Sequence, residues 1–103
     1  MTKPISELWR GAAETWVVLE SAANLMEESK SSVLSQLMSK CGDMPVSRAE
    51  MTVKASEGWL EHVKRIAEAR EKANAAKIKV DYYKMRFHEE MSRQATDRLE
   101  ARL

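Results

Sequence analysis

The stretch Lys40-Cys-Gly-Asp-Met-Pro-Val-Ser47 places a helix stop, a turn and a helix start within eight residues. Gly42 suits the left-handed position just past a helix end, and Pro45 cannot continue the helix that precedes it. Ser47-Arg-Ala-Glu50 reads as a capping box, in which the Ser47 hydroxyl accepts from the Glu50 amide while Glu50 reaches back. Two helices joined so tightly must lie side by side and antiparallel.

The flanking segments carry the periodicity this requires. Before the turn, apolar residues recur at spacings of three and four: Ile5, Trp9, Ala12, Trp16, Leu19, Ala23, Met26, then Val33 and Leu37, with only Lys30 interrupting. After it the stripe runs Trp59, Val63, Ile66, Ala69, Ala73, Ala76, and then Val80, Tyr83, Phe87 and Met91. Both average near 3.5 residues, the period of helices that pack along their length. No segment alternates with period two, and Pro and Gly together number only five in 103 residues. The expected fold is all-α: one domain over residues 1–103, a long antiparallel hairpin with helices over about 4–41 and 47–101 and a turn at 42–46. Ser56 and Gly58 mark a soft spot where the second helix can break, but a continuous or slightly kinked helix is the preferred reading.

Folding straight rods back at residue 44 sets a register. Trp16 falls opposite about residue 72 and Ile5 opposite about residue 83, at ~1.5 Å of rise per residue. The indoles of Trp9 and Trp16 then meet the alanine-rich zone 67–76. Beyond residue 84 the second helix has no cover from its own chain, leaving Met85, Phe87, Met91 and Leu99 free. A two-helix hairpin buries one stripe per helix, which is marginal in water. The expectation is self-association into a four-helix bundle or coiled-coil-like oligomer, a dimer first, or cover by another protein. Trp9, Trp16, Tyr83, Phe87 and Met91 are the candidate interface residues.

Charge divides along the chain although the net charge is only +1. Residues 1–46 carry four bases and six acids, whereas residues 64–86 carry eight bases and three acids. The bases form two sevenfold rows, Arg65-Lys72-Lys79-Arg86 and Arg70-Lys77-Lys84, which flank the apolar stripe where coiled coils place interhelical charge pairs. Glu7 with Glu14, and Glu20 with Glu27, repeat at the same interval on the first helix and are the expected partners. The competing reading is a ridge for phosphates, with Arg65, Lys72, Lys79 and Arg86 as backbone contacts and Tyr82 stacking on an unpaired base.

Catalytic and metal chemistry find no pattern. His62 and His88 lack the i, i+4 partner of a helical zinc pair, and His88-Glu-Glu-Met-Ser92 has Ser where a zincin has its second His. No glycine-rich loop cradles phosphate. Cys41 is alone, so no intrachain disulfide forms, and a small buried hydrophobe is its expected role. The reading is no enzyme, no metal and no cofactor. The start MTKPISELWRG lacks a signal-peptide pattern and no apolar run reaches the ~18 residues of a membrane span, so a cytoplasmic setting is expected.

The Trp9-Arg10 start, the Ser47-Arg-Ala-Glu-Met51 helix start and the long alanine-basic helix ending near Arg93 resemble small Ala/Glu/Arg-rich helical proteins of bacteriophages and prophages. That resemblance implies a setting beside phage DNA replication or recombination, or binding to a host protein. The hairpin plan is also similar to the secreted WxG helical-hairpin family. Here, however, the loop has no Trp two residues before a Gly, and Arg86 and Phe87 stand four residues after Tyr82 and Tyr83 where that family needs an acid.

Overall fold

The computed structural model describes residues 2–103. It is all-helical in its regular structure, an elongated hairpin of 84 × 25 × 17 Å. Each arm is made of two helices rather than one. The first holds α1 (Ile5–Glu28) and α2 (Lys30–Ser39), and the second holds α3 (Val46–Lys54) and α4 (Glu57–Ala101). α1 packs against α4, and α2 against α3.

The breaks have local causes. At Ser29 the hydroxyl donates to the Met26 carbonyl at 2.8 Å, the side-chain back-bonding that bends helices. The ladder resumes at once, with Val33 N–H donating to the Ser29 carbonyl. The second break is a true corner. Ala55 turns, Ser56 is extended (φ −79°, ψ 152°), and its hydroxyl accepts from the Trp59 amide to cap α4. The preferred continuous helix over 47–101 is therefore corrected to a short α3 and a capped 45-residue α4.

The turn behaves as its residues dictate, with one exception. Gly42 adopts φ +74° beyond the end of α2. A side chain there is strained whatever the space around it, so Gly42→Ala is expected to lower stability by about 1 kcal/mol, read as a lower thermal midpoint with unchanged helicity at 20 °C. The capping box does not form. Pro45, extended at ψ 146°, stands at the N-cap, no side chain caps α3, and Ser47 lies inside the helix. Proline's fixed φ is itself suited to lead a helix, so α3 starts two residues earlier than a Ser47 cap requires.

Burial is thin. The buried apolar residues are Ala12, Ala23, Ala49, Val53, Trp59, Ala73 and Val80, and no large side chain is fully enclosed. Among the described residues only Ala23 and Ala73 have no exposed surface. The residues most fully enclosed on the long helices are thus alanines, whose small side chains permit near approach but remove little apolar area from water.

Candidate functional site: the two sides of the α1–α4 seam

The observed register departs from that of straight rods. Lys77 Nζ lies 4.7 Å from the Trp16 ring centroid, about five residues beyond the expected level. Trp9 stacks on Phe87 at 5.3 Å and approaches His88 at 6.3 Å. The straight-rod estimate lets every residue after the turn advance the second arm. The corner at Ala55–Ser56 consumes chain without matching advance, so each level is reached later. In consequence Trp9 meets Phe87 rather than the alanine-rich zone, and Phe87 is covered by its own chain rather than free. Ile5, with Phe87 and Met91, lines a shallow cleft, so the uncovered overhang begins past Gln94 and not at residue 84. Leu99 lies on it, 63 % exposed.

One side of the seam is fastened by a single cation. Arg70 donates from Nε and Nη2 to Glu27 at 2.8 and 2.9 Å, from Nη1 to Glu20 at 2.8 Å, and from Nη2 to Asn24 Oδ1 at 2.7 Å. Positions 20, 24 and 27 are spaced four and three, so they form one edge of α1 and present three acceptors to one planar fork. The bonds from Arg70 hold the Glu27 carboxyl below the usual carboxylate range, its nearby charge assisting and partial desolvation opposing. Glu27 and Glu20 in turn raise the Arg70 guanidinium above its ordinary value. Lys77, over Trp16, also pairs with Asp81 at 3.1 Å. The expected charge pairing is thus concentrated: Glu20 and Glu27 share Arg70, whereas Glu7 and Glu14 turn to Arg10 on their own helix. Asn24, the middle acceptor, stands four residues after Glu20 and three before Glu27, and the charge pattern of the sequence does not single it out.

The opposite side is open. Two clefts, of about 320 and 350 Å³, lie along it. Gly11, Thr15, Leu19, Ala22 and Met26 line them from α1, and Ala69, Ala76 and Tyr83 from α4. These residues repeat at three and four along α1 and at seven along α4, so the clefts are successive parts of one groove. Arg65, Lys72 and Lys79 also line it; Arg86 continues their sevenfold row. Among the described residues Lys72 and Arg86 have no ion pair, Arg65 reaches only Glu61 at 3.9 Å, and Lys79 lies 6.0 Å from the Tyr83 ring centroid. Tyr82 is 49 % exposed and packs on Tyr83 at 5.6 Å. The structure therefore separates the candidate residues into two groups. Trp9, Trp16 and Phe87 are seam residues; Arg65, Lys72, Lys79, Tyr82 and Arg86 remain on an accessible edge.

Two polar atoms stay buried without partners among the described residues, Trp16 Nε1 and His62 Nε2, the latter beside the Trp59 ring at 5.9 Å. Cys41 is a free, half-buried thiol whose Sγ donates to the Leu37 carbonyl. No group of three or more His, Cys, Asp or Glu side chains among the described residues is placed to hold a metal ion, and no helix is long and apolar enough to cross a membrane. Comparison with protein-family models, with curated proteins and with solved structures finds no match to this chain.

Proposed function

We propose that the chain is a non-enzymatic helical interaction protein that self-associates, most simply as a dimer, and offers the assembled surface to another protein. The observation that carries this reading is the imbalance of apolar surface. Four of the seven buried residues are alanines, while Val17, Val18, Leu25, Leu60, Ile78 and Met85 are each more than half exposed. Exposed apolar residues on both long helices are what an unassembled bundle subunit displays. A cytoplasmic, phage-encoded setting, acting on a host or phage protein, fits the alanine- and charge-rich composition. Static light scattering across a dilution series tests the reading: a mass of at least two chains at micromolar concentration is expected, and a single-chain mass throughout overturns it.

A second reading keeps a specific support, the row Lys72-Lys79-Arg86, which among the described residues forms no ion pair with the other helix, beside exposed Tyr82. A nucleic-acid-binding accessory would run phosphates along that row. Filter retention of single-stranded DNA or RNA at ~50 mM salt, where electrostatic binding is strong, should then vanish in the Lys72→Glu, Lys79→Glu double variant. Absence of retention by the wild type ends this alternative.

A further inference from the structure

Resting on the self-association reading, we propose that the open groove is where the second copy docks, with α1 of one copy lying along the basic rim of α4 of the other about a two-fold axis parallel to the helices. Three features converge on this arrangement.

The first is register. Rotation about an axis parallel to the helices leaves axial level unchanged, so α1 of the second copy meets α4 at the levels α1 already occupies within the chain. Within the chain, the Lys77 ammonium reaches the Trp16 ring and Trp9 stacks on Phe87. That antiparallel offset brings Glu7 and Glu14 of the second copy within one helical turn of Arg86 and Lys79. The two acids stand seven residues apart, as the two bases do. Among the described residues the only cation that pairs with them is Arg10, which Glu7 and Glu14 share and which is itself exposed. The row therefore keeps a net negative charge for the basic rim to meet.

The second is shape. Gly11, Thr15 and Ala22 edge the groove from α1, leaving room for Lys and Arg stems to lie flat while their heads reach the acids. Glycine is disfavoured in mid-helix relative to alanine, yet a Cβ placed at Gly11 would touch nothing within 4 Å. Nothing in its own chain requires a glycine at that position. In the proposed register Gly11 of the second copy faces Tyr82, and Val18, which is 68 % exposed, faces Ala75.

The third is exclusion. A two-fold axis across the helices would stack α4 on α4 and set the row Arg65-Lys72-Lys79-Arg86 against itself, which like-charge repulsion opposes. The favoured axis pairs α1 with α4 twice, by symmetry, and closes the assembly at four helices.

The test measures dimer dissociation by sedimentation, with helicity recorded for every variant. Lys79→Glu and Glu14→Lys should each weaken the dimer at least about tenfold, since each change occurs twice per dimer. Combined, they should restore affinity to near the wild-type value. Gly11→Leu should abolish the dimer while helicity stays the same or rises. A wild-type monomer would remove the self-association reading and this proposal together. A wild-type dimer that tolerates all three single changes would leave self-association standing and overturn this face. A dimer weakened by each single change but not rescued by the double one would overturn the register.

Discussion

Ala73→Leu is expected to cost about 3 kcal/mol, the upper range for overpacking a filled site, and to lower the thermal midpoint by about 15 °C for a domain of this size. The reason is position rather than residue type. Ala73 has no exposed surface, and neither does Ala23 on the facing helix. Arg70, three residues before Ala73, is bonded to Asn24, the neighbour of Ala23, so the helices are held at close range there. A leucine cannot turn away from such a site without pushing α1 and α4 apart, which would also strain the Arg70 bonds. Small domains are commonly stable by only about 5 kcal/mol, so the loss is a large share of the total. Ala67→Leu is the control. Ala67 is exposed on the same helix, and substitution there should change stability by less than about 0.5 kcal/mol. Equal midpoints for the two variants would mean that the alanine contact does not set the interhelical distance.

How far such a result could be foreseen from sequence differs between features. The helical class and the hairpin followed from the three–four spacing and from Gly42 and Pro45, because backbone chemistry acts locally. Ser56 was legible as a cap, but its strength depends on competition between one hydroxyl–amide bond and the alternative of a continuing helix. Sequence pattern does not weigh those two. Once that corner formed, the register moved, and with it every statement about what faces what. Trp16 met Lys77 instead of residue 72, and Phe87 was covered by Trp9 instead of left bare. Errors in a hairpin therefore propagate outward from its turn. The charge rows were visible as sevenfold repeats, yet their division of labour was not. Arg70 and Lys72 are both basic residues beside the apolar stripe, but they stand on opposite sides of it. Only Arg70 faces three acceptors, while Lys72 lines an open groove.

The Arg70 clamp leads to the second large effect, which should appear as a pH dependence. The Glu27 carboxyl lies below its ordinary value in the folded chain, mainly because it accepts hydrogen bonds from Arg70. Such a group stabilises the fold fully above the unfolded value, near ~4.3 for Glu, and loses that contribution as pH falls through the depressed folded value. Between pH 7 and 5 this contribution should hold steady, and below about pH 4 it should be lost as the carboxylate protonates. Arg70→Met removes the partner, so at pH 7 the variant should melt several degrees below the wild type, with Glu20 and Glu27 left facing an apolar side chain. On acidification the difference should shrink, because the wild type loses what the variant already lacks. Arg70→Lys should recover little, since an ammonium cannot present the planar fork that reaches Glu20, Asn24 and Glu27 together. Parallel melting curves for wild type and Arg70→Met from pH 7 to pH 3 would show that the clamp contributes nothing beyond packing. A converging pair would place the fastening of α1 to α4 on one guanidinium.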